Sequence, residues 1–185
     1  MYRVIRSFAL IMAVASVIGF QGAASFAQSP GGKTLAGIAG VAVSGEDISP
    51  EAAQDGLNKA GLVTDTIQFL KSSGVKVLTD QQLNSAPGRP TLIISVNTRK
   101  HAGGVYSYTV SLSLDQIVTL ERDPAIRGSA PTWFVLATGA CLPEELNTDV
   151  RAYVRQLAQQ FVTDYNIANP AEGSSSSAKD AIKKK

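Results

Sequence analysis

One stretch of the chain, residues 105–121, constrains the fold more than any other. Its sequence, VYSYTVSLSLDQIVTLE, alternates between large apolar side chains and small hydroxyl side chains. Alternation with a period of two places successive side chains on opposite faces of a β-strand. At about 3.3 Å per residue the stretch would extend roughly 50 Å, so we expect a bend or bulge near Asp115 and Gln116, where the apolar pattern is interrupted. The chain should therefore fold around one long strand with a buried face and a solvent face.

The two ends of the chain differ in composition from its middle. Residues 1–27 contain two early arginines, an apolar run and a Ser-Phe-Ala ending, which is typical of a cleaved export signal. The apolar run of 13 residues is shorter than the roughly 20 that cross a bilayer, so no membrane span is expected after cleavage. Residues 28–33 are expected to be a flexible lead-in, and the Ser/Lys-rich residues 171–185 a disordered tail. A single domain is predicted for residues 34–170, in a protein exported to the periplasm or out of the cell.

The charge balance of this domain argues against a nucleic-acid partner. Residues 28–170 contain 11 basic and 13 acidic side chains, so the body is neutral to slightly acidic. The chain has one cysteine, Cys141, and therefore no internal disulfide. A reactive or intermolecular thiol is one interpretation of Cys141. Because no histidine motif accompanies it, we expect a buried thiol that packs as a small apolar side chain.

Two segments have the apolar spacing of amphipathic helices. The first covers residues 58–73 and is followed by Gly74, which can end a helix by adopting a positive φ. The second is predicted to begin at Pro143 and to end before Pro170. A short helical turn is expected after Ser49, an N-cap followed by proline. The apolar stripe of the second helix consists of Leu146, Val150, Tyr153, Val154, Leu157, Phe161, Tyr165 and Ala168.

Four shorter segments are predicted as strands. Pairing Leu92 with Leu112 keeps the large apolar side chains on one face, so the numbers of paired residues should add up to 204 or to a neighbouring even number. Residues 132–138 are apolar at both parities, which indicates a strand covered on both faces. The strands are the second half of 35–44, then 75–79, 91–98 and 132–138, and the loops are 80–90 and 122–131.

These elements predict an α+β fold, a two-layer sandwich in which two main helices lie on one face of a largely antiparallel sheet of four or five strands. The first strand–helix–strand unit could pair in parallel. In its order of elements the chain resembles small exported bacterial α+β domains, among them the amino-terminal domain of TolB. That resemblance concerns the fold and implies no activity.

The end of the chain carries a more specific resemblance. The sequence FVTDY (161–165) is followed by an Asn-Pro pair (169–170), and a Thr-Trp pair (132–133) lies upstream. In these motifs, and over roughly residues 36–170, the chain resembles a family of exported bacterial proteins of unknown function. Because that family has no assigned activity, the resemblance implies no catalytic or binding residue.

The sequence contains no recognisable pattern for catalysis, so no catalytic residue, metal site or cofactor is predicted. His101 is the sole histidine and lies in a basic hairpin tip, where a solvated turn is the simplest interpretation and an anion contact the alternative. Glu46, Asp47 and Glu51 cluster after the first strand. They could serve as an acid–base pair or a Ca²⁺ site, although charge near a helix start also explains them.

Two surfaces are candidates for binding. Ser107, Thr109, Ser111 and Ser113 would form a flat hydroxyl face with little charge, either a plain outer layer of the sheet or a docking face for another protein. The first hypothesis is therefore a non-catalytic domain that binds another envelope protein or associates with itself. The alternative is a small-molecule or glycan-binding domain, and a hydrolase is the third hypothesis. The aromatic platform of the alternative consists of Tyr106, Tyr108 and Trp133.

Overall fold

The computed structural model of the protein describes residues 27–28 and 31–170. The predicted tail, and the predicted export signal up to residue 26, lie outside these residues. The described chain forms one mixed sheet with strand order β1-β5-β4-β3-β2, in which only β2 and β3 pair in parallel. The main helices pack against one face of this sheet, which confirms the predicted α+β class. The strands are β1 (Ala27–Gln28), β2 (Ala42–Gly45), β3 (Thr91–Lys100), β4 (Tyr106–Leu120) and β5 (Asp123–Cys141).

The long strand is β4, and its side chains alternate in burial as predicted from Tyr106 to Leu114, whereas the predicted alternation from Asp115 to Leu120 was wrong. Its register with β3 pairs Leu92 with Leu114, so paired residue numbers add up to 206, one of the neighbouring even numbers allowed by the sequence. The pairing of β4 with β5 shifts between Leu114 and Asp115, where an irregularity was expected. The extra residue is Thr132 of β5, and the alternation in burial along β4 ends at the same point.

The helices begin and end at residues whose side chains suit those positions. Ser49 caps α1 and Asn58 caps α2, each accepting a hydrogen bond from a backbone N–H three residues on. Gly74 follows α2 with φ of 82°, a conformation that costs glycine little. Asn169 caps the C-terminus of α4. The helices are a 3₁₀ helix (Gly31–Leu35), α1 (Pro50–Gln54), α2 (Lys59–Ser72), α3 (Asp80–Ser85) and α4 (Leu146–Ala168).

Several predicted boundaries were wrong. Residues 75–79 form no strand, because only Val77 makes an isolated parallel bridge, to Val41. The predicted loop 80–90 contains α3, held by a reciprocal capping box between Thr79 and Gln82. All but the first residue of the predicted loop 122–131 belongs to β5. These residues have no apolar pattern, and their extended form comes from backbone pairing with β4.

The ends of the domain also differ from the predictions. Gln28 pairs with β5, and the last residues of the expected lead-in belong to the 3₁₀ helix, which ends at the fully buried Leu35. Pro143 lies in a turn, and α4 begins at Leu146 because residues 143–145 do not continue its hydrogen-bond ladder. Glu145 occupies the N-cap position without a side-chain cap of its own.

One continuous core lies between the sheet and the helices. The even-numbered side chains of β4 from Tyr106 to Leu114 are buried on the side where α4 packs, and the predicted apolar stripe of α4 contributes to the same core. Phe161, at the centre of that stripe, packs edge-on against Trp133 with ring centres 5.1 Å apart. Removing this much apolar surface from water is the main source of stability in a chain without disulfides. The other face of the sheet is left outside this core.

Candidate functional site

The face of the sheet that points away from the helices is defined by the register of β3, β4 and β5. Residues that are partners in that register form four rows, each with one side chain from each strand. We call these twelve side chains the open face, because none of the described helices covers them. The rows are Ile93–Ser113–Phe134, Ser95–Ser111–Leu136, Asn97–Thr109–Thr138 and Arg99–Ser107–Ala140.

Three large apolar side chains lie on the open face. Ile93, Phe134 and Leu136 are each partly exposed, and they occupy two adjacent rows. The prediction that residues 132–138 are covered on both faces was therefore wrong, since only Trp133, Val135 and Ala137 are buried. Phe134 and Leu136, the apolar residues between them, are only partly buried and lie on the open face. A partly exposed apolar cluster of this kind is a common mark of a contact surface.

The hydroxyl stripe runs down the middle of the open face, as the sequence predicted. Ser113 donates to Asp115 Oδ1 at 2.9 Å, and Ser107 lies 2.9 Å from Nε2 of His101. Thr109 and Ser111 make no side-chain hydrogen bond to any other described residue. Each of these two hydroxyls can therefore donate and accept a hydrogen bond across the face.

The charges of the open face are separated along the strands. Arg99 lies exposed at one end, in the row that His101 borders. Asp115 continues β4 beyond the opposite end, and Glu46 follows β2 beside Ser95, whose hydroxyl donates to it. Within the described chain, none of Arg99, Asp115 and Glu46 forms a salt bridge. The face therefore has a basic end at Arg99 and an acidic end at Asp115, with Glu46 at the side of the middle row.

The three aromatic residues of the alternative hypothesis belong to the core. Tyr106, Tyr108 and Trp133 are 0%, 4% and 1% exposed. Trp133 Nε1 donates to Asp164 Oδ2 at 2.9 Å, and the ring of Tyr108 lies edge-on to Tyr153 at 5.8 Å. The rings of Tyr108 and Trp133 contact α4, and all three rings are buried, so they offer no exposed platform for a ligand and that part of the alternative was wrong.

A polar cluster around Asp55 was not found from the sequence. Asp55 Oδ2 accepts hydrogen bonds from Lys100 Nζ at 2.8 Å and from the Tyr106 hydroxyl at 2.7 Å. The Lys100 ammonium and the Tyr106 hydroxyl hold the pKa of Asp55 below its usual range. Burial, together with Asp55, raises the pKa of Tyr106. The cluster fastens the end of α1 to β3 and β4, and its lowered carboxyl pKa is unsuited to a general acid.

Cys141 is buried, as expected. Burial, with the nearby Asp149, raises the pKa of its thiol to about 11. A thiol with that pKa is almost fully protonated at neutral pH and is a poor nucleophile. The structure supports the packing interpretation of this residue.

The early carboxylates do not converge on one site. Asp47 Oδ1 lies 2.6 Å from Lys59 Nζ, which lowers the pKa of Asp47. Glu46 points to the open face and Glu51 lies in the first turn of α1. Across residues 27–28 and 31–170, no group of three or more acidic, histidine or cysteine side chains is placed to hold a metal ion.

A groove of about 780 Å³ separates α2 from α4 on the helical side of the molecule. Arg151 Nη2 lies 2.5 Å from Asp65 Oδ2, and the guanidinium of Arg155 lies 4.4 Å from the centre of the Phe69 ring. Val154 contributes to the apolar floor. This groove was not predicted, because it depends on which two helices become neighbours in the fold.

The comparisons with known proteins leave the site to be interpreted from its geometry. No protein-family model matches the chain, and no curated protein matches it. In the part of the chain that the structure describes, no helix is both long and apolar enough to cross a bilayer.

Proposed function

We propose that this protein is a non-catalytic, exported interaction domain of the cell envelope, and that it works by protein–protein contact through the open face. The observation that carries the proposal is the partly exposed apolar cluster of Ile93, Phe134 and Leu136 beside uncharged hydroxyls. The proposed export rests on the composition of residues 1–27, and the resemblance to exported bacterial proteins agrees with it.

The chemistry of the open face suits contact with another protein. Hydroxyl side chains on a flat sheet cost little to desolvate when a partner supplies matching hydrogen bonds, and the apolar cluster gains from being covered. The edge of the sheet along β5 is less suited to strand addition. Pro124 and Pro131 lie in β5, where each removes a backbone donor. The face is therefore a better candidate for the interface than that edge.

The ionisable groups of the described chain support a non-catalytic role. Cys141 has a raised pKa, Asp47 and Asp55 have lowered pKa values, and His101 lies exposed at a hairpin tip beside Ser107. General acid–base catalysis uses groups whose pKa values are shifted toward neutrality in a cleft. These shifts move away from neutrality and are explained by burial or by structural ion pairs.

Photo-crosslinking in expressing cells tests the proposal. A photoreactive residue replaces Thr138, which is exposed at the rim of the open face, and the matched control carries it at Gln156, exposed on α4. We expect discrete adducts to protein from position 138 and none from position 156. Adding Leu136→Arg should abolish the adducts, because a charge then occupies the apolar cluster. The absence of any protein adduct at position 138 would refute the proposed function.

The groove between α2 and α4 favours a second candidate, a binding domain for a small amphipathic anion. Arg155 contacts the Phe69 ring and has no acidic partner among the described residues, so it remains able to bind a carboxylate above an apolar floor. Thermal unfolding in the presence of a panel of fatty and aromatic carboxylates tests this. A ligand should raise the melting temperature of the native chain and of the control Lys71→Gln, but not that of Arg155→Gln. A panel without effect removes this candidate.

A further inference from the structure

We infer that a pocket at the basic end of the open face binds a carboxylate, and that the protein partner of the open face presents an acidic side chain to it. This inference rests on the proposed use of the open face as a protein interface, and it adds the chemistry of the partner at one end of that face. The pocket has a volume of about 390 Å³ and lies in the last two rows of the open face. Its lining includes five side chains of that face: Asn97, Arg99, Ser107, Thr109 and Thr138.

The five side chains form a set of hydrogen-bond donors. Each of them carries an N–H or O–H group, and none is acidic. Arg99, Thr109 and Thr138 make no side-chain hydrogen bond or salt bridge to another described residue. Asn97 Nδ2 makes one long contact, 3.4 Å from Ser95 Oγ, and keeps its second N–H available. The pocket therefore offers donors from three strands without a competing carboxylate among them.

His101 sets the direction in which Ser107 donates. Nε2 of His101 lies 2.9 Å from Ser107 Oγ. When Nε2 carries a proton, His101 donates to Ser107, and the hydroxyl proton of Ser107 can point into the pocket. In the opposite arrangement Ser107 would donate its proton to the imidazole. An anion in the pocket favours the first arrangement, because only that one supplies it with the Ser107 donor.

The charge of the pocket favours a carboxylate over a phosphate. Among the described residues that line it, Arg99 is the single permanent cation, and the adjacent Lys100 is paired with Asp55 at 2.8 Å. One guanidinium balances one carboxylate, and its planar fork can bind both carboxylate oxygens. A phosphate group carries about 1.5 to 2 negative charges near pH 7, so part of its charge would remain without a partner.

The carboxylates on the same face lie too far away to repel a bound anion strongly. Glu46 lies at the side of the Ser95 row, two rows from Arg99 or about 13 Å along the strands. Asp115 lies four rows from Arg99, about 26 Å. Both distances exceed the screening length of about 8 Å at physiological ionic strength. The field at the pocket is therefore dominated by Arg99.

The position of the pocket indicates that the carboxylate belongs to a protein. Leu136, part of the apolar cluster, lies two rows from Arg99, about 13 Å along the strands. A partner that covers the cluster therefore extends over the pocket as well. Covering the Arg99 guanidinium without an acidic group opposite it would leave a desolvated charge unpaired, which is costly. The partner should accordingly carry an acidic side chain about 13 Å from the group that covers Leu136.

Titration of the purified, isotope-labelled chain followed by NMR tests the pocket. The probes are N-acetylglutamic acid amide and N-acetylglutamine amide, which differ only in the side-chain carboxylate. The backbone amide signals of Ser107 and Thr109 should shift saturably with the first probe, with a dissociation constant on the order of 1–10 mM at low salt. The glutamine compound should bind at least about tenfold more weakly, because it lacks the charge that Arg99 pairs with.

Variants assign the binding to named groups. Arg99→Gln should weaken binding of the glutamic acid probe at least about tenfold. Thr109→Val keeps the shape of the side chain without its hydroxyl and should weaken binding about two- to tenfold. Arg122→Gln serves as the matched control, since Arg122 is exposed in the turn after β4, and it should bind like the native chain.

Photo-crosslinking from the other end of the open face tests the source of the carboxylate. A photoreactive residue replaces Phe134, three rows from Arg99, in the native chain and in the two arginine variants. Protein adducts from position 134 should fall at least about tenfold with Arg99→Gln and stay unchanged with Arg122→Gln.

The outcomes separate this inference from the proposed function. Equal binding of the two amide compounds, or inorganic phosphate that binds more tightly than the glutamic acid probe, overturns the carboxylate pocket. Adducts that form equally well with Arg99→Gln overturn the acidic partner, while the proposed function stands. Carboxylate binding without a protein adduct from position 134 or 138 refutes the proposed function and the protein source together, and assigns the pocket to a free carboxylate compound.

Discussion

Substitution of Gly139 by alanine tests the packing of the long strand most sharply. A Cβ atom at this position would lie 2.5 Å from both Cζ and the hydroxyl oxygen of Tyr108, its cross-strand partner. Tyr108 cannot move freely, because it is buried and its ring lies edge-on to Tyr153 at 5.8 Å. The variant therefore forces either the ring or the strand out of place.

The size of the effect follows from two opposing contributions. Overpacking a well-filled site costs about 1–3 kcal/mol. Replacing glycine by alanine also restricts the unfolded chain, which stabilises the folded state by about 0.4–1 kcal/mol where the backbone conformation is compatible. Gly139 has no positive φ, so this second contribution applies. We expect a net loss of about 1–2 kcal/mol in the free energy of unfolding.

Gly128→Ala provides the matched control. Gly128 lies in the same strand, also has no positive φ, and nothing lies within 4 Å of an added Cβ. Because both variants share the unfolded-state contribution, the difference between them measures the overpacking alone, about 1–3 kcal/mol. Urea unfolding followed by circular dichroism gives both values. Equal stabilities for the two variants would refute the packing of Tyr108 against Gly139.

Three further predictions concern the core and its ionisable groups. Phe161→Ala should lower the free energy of unfolding in urea by about 3–5 kcal/mol, because the fully buried ring packs against Trp133; a loss below about 1 kcal/mol would contradict that packing. At pH 8, Cys141 of the folded protein should react with Ellman's reagent about 100-fold more slowly than a free thiol of pKa 9.0, since its own pKa is about 11; a rate like that of free cysteine would show an exposed thiol. Asp55→Asn should lower the melting temperature at pH 7, and the gap to the native chain should close as the pH falls below about 4, because a carboxyl with a lowered folded pKa stabilises the fold only above its unfolded pKa of 3.8. A gap that is constant with pH would exclude the ionised carboxylate as the cause.

The parts of the fold that could be predicted are those that follow from the periodicity of apolar and polar side chains along the chain. Alternation in β4 determined which side chains are buried and allowed only even sums for the pairing with β3, since an odd sum would place apolar groups in water. The helical spacing of α4 likewise identified the residues that face the sheet, with Phe161 at their centre. The predicted N-cap Ser49 marked the start of α1, and the apolar spacing predicted a helix from residue 58, where Asn58 caps α2.

The parts that were missed depend on backbone pairing or on short capping motifs. The first residues of β5 are polar or small and gain their extended form from pairing with β4, so no periodicity reveals them. The capping box of α3, Thr79 with Gln82, is visible in the sequence and could have identified that helix. The strand predicted for residues 75–79 fails because a short apolar run needs a neighbour along its whole length, and only Val77 has one.

The candidate site was predicted in part. The hydroxyl stripe from Ser107 to Ser113 lies on the open face as expected, because the alternation of β4 places these odd-numbered residues opposite the buried even-numbered ones. Phe134 and Leu136 beside it could not be assigned to that face, since both parities of β5 are apolar and the register decides between them. The charges of Arg99 and Glu46 become part of one surface only when β2, β3 and β4 are placed side by side.

The central claim is that the helices cover one face of the long strand and leave the other free for a partner. Single cysteines in place of Ser111 and Leu112, neighbours on opposite faces, test it directly by their rates of maleimide labelling, with the slow Cys141 as background. Ser111→Cys should label rapidly and Leu112→Cys only at the rate of global unfolding, because Leu112 is buried under the helices. Rapid labelling at Leu112→Cys, or slow labelling at Ser111→Cys in the purified protein, would contradict the account.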